Sequence, residues 1–168
     1  MNLREEILRE HSKAQTLKIV KYIGNDKKRF AELMNLFLGN TYRVTQRAAW
    51  VVSNCAEEYP ELIKPYLEKM LDNLYQPVHD AVKRNTVRTL QGITIPKKLQ
   101  GKVADICFQF LCSKDETIAV KVFSMTVLYN LSKEHPDLKN ELRIAIEEQM
   151  PYASAGFKSR GKKILKAL

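Results

Sequence analysis

The chain has 168 residues, 45% of them apolar, with 28 Lys and Arg against 19 Asp and Glu and a formal charge of +9. That length and apolar content predict one domain over residues 1–168, with a continuous core. Apolar runs of only a few residues exclude a membrane-spanning helix, and a basic balance points to acidic or phosphate-bearing partners ahead of basic ones.

The first segment, MNLREEILREH, is charged and amphipathic and reads as neither a secretory signal nor a transit peptide. Helices are predicted from Leu3 to Glu10 and from Lys13 to Tyr22, the second closed by Gly24-Asn25-Asp26. After the turn signal Gly39-Asn40-Thr41 comes VTQRAAWVV, Val44 to Val52. Pro60 then opens a helix whose Ile63, Leu67, Met70, Leu71 and Leu74 recur at helical spacing. Tyr75-Gln76-Pro77 turns the chain into VKRNTVRTL, Val82 to Leu90. Pro96 opens a helix carrying Val103, Ile106, Cys107, Phe110 and Leu111; Ser113-Lys114-Asp115 turns it into VKVFSMTVL, Val120 to Leu128. Pro136 starts the last cycle, with a turn expected at Ser154-Ala155-Gly156 before FKSRGKKIL, Phe157 to Leu165.

The four segments begin at Val44, Val82, Val120 and Phe157, steps of 38, 38 and 37 residues. An apolar residue opens and closes each one, and short residues such as Ala48, Thr86 and Ser124 lie between. A period in this range means stacked supersecondary units, none of which buries its apolar stripe alone. Leading helix, tight turn, trailing helix is the unit. Ten helices in five pairs are expected, with no strand, because no two-residue alternation persists.

The trailing segments resemble the HEAT-like repeat family, whose second helix carries a Val-(Arg/Lys)-x-x-Ala-x-x-x-Leu core. Val82-Lys83 to Leu90 and Val120-Lys121 to Leu128 match best, while Thr45 replaces the basic residue in the earlier unit. The resemblance covers essentially the whole chain. It implies an all-α class, an α-α superhelix (solenoid) of about five helix pairs, with trailing helices on the concave side. It also implies a binding or scaffold role, although one such fold serves many tasks.

Arg43, Arg47, Trp50 and Asn54 fall at steps of four, three and four and share a helical stripe. AAWVVSN is similar to the Trp-x-x-x-Asn pattern of armadillo nuclear-import adaptors. In that family, Asn amides bind peptide backbone and Trp faces hold lysine stems, as an amide and an indole can. Moving by one period turns Trp50 into Arg88, Thr126 and Lys163, and Asn54 into Gly92 and Asn130. A basic column of Arg47, Arg84, Arg88, Arg160 and Lys163 follows, interrupted by Phe123. The groove candidates are therefore Arg47, Trp50, Asn54, Arg84, Arg88, Thr126, Asn130, Arg160 and Lys163. The structural alternative is that Trp50 packs across a repeat seam and Asn54 serves a local backbone group.

From Phe157 to Leu168 there are five basic residues and no acid. They either attract nucleic acid or simply favour the end of the last helix and keep it soluble. The cationic face is superficially similar to HEAT-like alkylpurine DNA glycosylases. That chemistry needs several aromatics and a carboxylate in the groove, against one tryptophan in this chain. His11, His79 and His135 are far apart and sit beside turns, where capping or solvation is the ordinary role. Cys55, Cys107 and Cys112 form no CxxC pair, and the first two fall at apolar positions. No HExxH, GxSxG or glycine-rich phosphate loop occurs. The expectation is a cytoplasmic, non-catalytic module without metal or cofactor that recognises a protein or peptide on its concave face. Nucleic acid is the alternative partner.

Overall fold

The computed structural model describes residues 1–168 and is entirely helical. Its contacts divide the chain into two compact units, Met1–Gly92 and Ile93–Leu168. The first holds α1 (Leu3–Arg9), α2 (Lys13–Ile23), α3 (Lys27–Phe37), α4 (Tyr42–Glu58), α5 (Pro60–Ile63), a 3-10 turn (Lys64–Tyr66), α6 (Leu67–Asn73) and α7 (Asp80–Gln91). The second holds α8 (Lys97–Cys112), α9 (Ile118–Ser132), α10 (Leu138–Glu147) and α11 (Ala155–Ala167). Counting α5, the 3-10 turn and α6 as one interrupted helix, the chain makes the ten helices in five pairs that its periodicity predicts.

Helix starts follow side-chain chemistry. Asn2, Ser12, Asp26, His79 and Ser154 each accept a hydrogen bond from a backbone N–H in the first turn that would otherwise lack a partner. At the end of α2, Gly24 takes a φ of 51°, a conformation that side chains with a Cβ resist, and its N–H returns to Val20 O at 2.8 Å.

Two local expectations are corrected. The helix after Pro60 is not continuous. Pro65 has no N–H for the α-type bond to the preceding turn, so the backbone tightens into 3-10 geometry between α5 and α6. Its apolar series survives the break, and Ile63, Leu67, Met70, Leu71 and Leu74 are all buried. The second correction is at Ser154-Ala155-Gly156. There α11 has already begun at Ala155 with Ser154 as its cap, and residues 148–152 make the chain reversal instead.

In the first unit α4 is central and touches α1, α2, α3, α5 and α7. Val44, Ala48, Val51, Val52 and Cys55 face inward, beside Phe30, Leu33, Met34 and Phe37 of α3 and Val82, Val87 and Leu90 of α7. In the second unit α9 is packed by α8, α10 and α11. Its Val120, Met125, Val127 and Leu128 are essentially sealed from water, each such side chain contributing about 1.5–3 kcal/mol by burial. The positions that open and close the repeat segments of α4, α7 and α9, namely Val44, Val52, Val82, Leu90, Val120 and Leu128, are all buried.

A buried polar link crosses the α4–α7 seam. The buried Ser53 hydroxyl donates to Asn85 Oδ1 at 2.9 Å, while Asn85 Nδ2 donates to Ala81 O at 2.8 Å. A second polar cluster ties α1 to α2: Gln15 Nε2 donates to Glu6 O and Glu6 Oε2, both at 2.8 Å, and Lys18 Nζ and Arg9 Nη2 reach the same carboxylate at 2.9 Å. Hydrogen bonding from Gln15, then from Lys18, holds the Glu6 pKa below its ordinary value of 4.5. A carboxyl depressed in the folded state contributes stability that is complete above its unfolded pKa and disappears as pH falls through the folded one. Acid titration of urea stability below about pH 4.5 should therefore show a loss that Glu6→Gln reduces. Asp26, depressed by the backbone N–H groups of Arg29 and Lys28 that it caps, leaves a residual slope in that variant. An unchanged acid limb in Glu6→Gln would refute the coupling.

Candidate binding surface

The predicted stripe on α4 exists, but most of its polar atoms are already engaged. Arg43 is exposed, and Arg47, Trp50 and Asn54 are half-buried. Arg47 Nη1 donates to Leu8 O at 2.7 Å and Ile7 O at 3.4 Å, satisfying carbonyls at the end of α1. Trp50 meets His11 edge to face, with ring centroids 5.6 Å apart. Asn54 Nδ2 donates to Trp50 O at 2.7 Å, the local backbone bond that sequence reasoning weighs against a peptide-binding amide.

On α7, Arg88 pairs with Glu57 of α4 at 2.7 Å and Arg84 with Asp80 at 3.6 Å. Half-exposed pairs of this kind are worth about 0–1 kcal/mol, so a partner can displace them at little cost. In the second unit, Thr126 accepts from Arg160 Nη1, which joins α9 to α11. Asn130 is half-buried on α9, and Lys163 is exposed on α11. The structure thus brings Arg47, Trp50, Asn54, Arg84 and Arg88 onto two neighbouring helices of one unit, and Thr126 and Arg160 into contact in the other.

Along α11, Lys162, Lys163 and Lys166 are exposed, and Lys166 lies in the last turn, where the helix dipole favours a cation. The three histidines sit as their turn positions predict. His79 Nδ1 accepts from Ala81 N at 2.9 Å and caps α7, His135 Nε2 lies 2.7 Å from Gln100 Oε1, and His11 rests on Trp50. Cys55 and Cys107 are buried, and burial pushes both thiols up to about 12, with Glu58 adding to the effect at Cys55. Cys112 is exposed. No three His, Cys, Asp or Glu side chains converge as metal ligands would, and no helix is long and apolar enough to cross a membrane.

Sequence reasoning missed a cavity of about 710 Å³ in the first unit, between the α3–α4 turn and the α6–α7 turn. Phe37, Asn40, Tyr42, Asn73, Gln76, His79 and Val82 are among the residues lining it. The Tyr42 and His79 rings meet at 4.9 Å, nearly perpendicular, and Tyr42 is 66% exposed. The available signal was the recurrence of turns at a fixed period, which sets successive turns side by side. A family model for a HEAT repeat domain matches residues 3–168. No curated protein and no solved structure shows significant similarity to the chain.

Proposed function

The chain belongs to the HEAT repeat domain family, and on that footing we propose that it is a non-catalytic module that recognises a protein or peptide partner on the face of its trailing helices. The observation that carries this reading is the α4–α7 stripe: one half-buried tryptophan flanked by Arg47, Asn54, Arg84 and Arg88, with Arg84 and Arg88 held only by half-exposed ion pairs. Tryptophan and arginine around a partly desolvated centre are the residue types that dominate binding energy at protein interfaces.

The double variant Trp50→Ala, Arg88→Ala is expected to weaken capture of the native partner by about tenfold or more. Its melting temperature should move little, because neither residue belongs to the sealed core. Capture from native extract, with nuclease-treated controls, followed by binding measurements on the purified pair, checks this. Normal binding by a folded double variant refutes the assignment of the face.

The excess of cations on α11 favours a second reading, in which the partner is nucleic acid. Arg84 and Arg88 already face carboxylates, which reduces the attraction of the first unit's stripe for phosphate. Salt dependence separates the two. Nucleic-acid binding loses affinity with a logarithmic slope of about −0.9 for each neutralised duplex phosphate, whereas a peptide held by Trp and Asn has a much shallower slope.

A further inference from the structure

We propose that the cavity between the α3–α4 and α6–α7 turns is a second binding site, separate from the trailing-helix stripe, and that it takes one uncharged aromatic or large aliphatic side chain from an extended peptide segment of a partner protein. The volume, about 710 Å³ and open to solvent on one side, exceeds that of one side chain and leaves room for the peptide backbone that flanks it. Its lining chooses the occupant. Phe37, Val82 and the Tyr42 ring supply apolar wall, while Asn40, Asn73 and Gln76 bring amides able both to donate to and accept from a peptide backbone. No Asp, Glu, Lys or Arg lines it. His79 Nδ1 accepts from Ala81 N at 2.9 Å and is committed to capping α7. A charged side chain entering this cavity would lose hydration without gaining an opposite charge. An apolar side chain would gain burial, and its flanking amides would meet amides.

Tyr42 is the residue placed to receive such a chain. It is the first residue of α4, 66% exposed, and its ring is set edge-on against His79. Tyrosine offers a large contact area with few rotatable bonds, so ordering it on binding costs little entropy. The second unit supplies an internal comparison. A cavity of about 400 Å³ lies between the turns at the starts of α9 and α11, with Ile118 where the first unit has Tyr42. That cavity is lined by Lys114, Glu116, Lys121 and Glu148, so the charge-free selection of the first unit does not extend to it.

The test uses the full chain and blocked tripeptides with a central phenylalanine, lysine or glutamate. Binding is followed through amide chemical shifts. The phenylalanine peptide is expected to cause saturable shifts at Tyr42, Thr45, His79 and Val82, with affinity about tenfold or more above that of either charged peptide. Tyr42→Ala and, independently, Gln76→Trp, which fills the cavity from an exposed position, are expected to abolish those shifts while leaving the melting temperature within a few degrees of the parent. Absence of saturable shifts overturns the proposal. So does equal binding of a charged peptide, retention of phenylalanine binding in either folded variant, or shifts of the same size around Ile118 and Tyr152. Because none of these peptides needs Trp50 or Arg88, failure here leaves the trailing-helix reading untouched, and failure of that reading leaves this one standing.

Discussion

Replacing Leu128 with alanine is expected to cost about 2–5 kcal/mol of folding stability, the range for truncating a sealed core leucine. Leu128 has 0% exposure and sits on α9, which α8, α10 and α11 enclose within the second unit. Two effects add. The transfer free energy of the lost methyl groups disappears, and a void remains, because three helices holding α9 leave little room for collapse. Urea denaturation of the parent and variant, with the slopes compared, isolates the effect on the native state. Ile118→Ala on the same helix, at a position 50% exposed, should stay within about 0.5 kcal/mol of the parent. Similar losses in the two variants would show that α9 is not packed as described.

The second large effect is expected at Gly161, which is buried in α11. A Cβ placed there would stand 3.0 Å from both Ile146 Cγ2 of α10 and Met150 Sδ. Gly161→Val pushes a branched side chain into that contact and should destabilise by about 1–3 kcal/mol, as overpacking does. Gly101, inside α8, is the contrasting case. A Cβ there meets nothing within 4 Å, so Gly101→Ala should gain about 0.5–1 kcal/mol by restricting the unfolded chain. Thermal and urea unfolding of the two variants measure opposite signs for glycines in two helices of one unit. A stabilised Gly161→Val would mean that α10 and α11 do not approach as closely as these distances state.

The period, the pairing and the buried positions were legible because each is a one-dimensional property. A sidedness repeated every 38 residues marks Val44, Val82 and Val120 whatever their neighbours are. The break at Pro65 was also legible in principle. Pro65 lies inside the apolar series Ile63 to Leu74, and periodicity carries no information on backbone hydrogen bonding. The side chains of the binding stripe were a harder case. Arg47, Trp50 and Asn54 do share a face, and the Asn54 bond to Trp50 O is local, but Arg47 is held by carbonyls of α1 about 40 residues away in sequence. The Tyr42–His79 cavity was out of reach for the same reason, since two turns create it and neither carries a signal alone.

The hydrogen bond between Ser53 and Asn85 has a consequence for how similar repeats avoid pairing with the wrong neighbour. A chain built from near copies offers each trailing helix several apolar surfaces of similar shape, and misassembly between such copies is a characteristic failure of repeat proteins. One period beyond Asn85 stands Phe123, and one period beyond Ser53 stands Gln91. If α4 docked against α9 in place of α7, the Ser53 hydroxyl would face a phenylalanine ring and lose its side-chain acceptor across the interface. Asn85 would lose its cross-helix donor at the same time. The Ser53 hydroxyl could turn to Trp50 O, 3.1 Å away in its own helix, but Asn85 Oδ1 would have lost its donor, and a buried polar group left so costs about 1–3 kcal/mol. The pair therefore acts as an address: it adds modest stability to the correct seam and a heavier penalty to the misthreaded one.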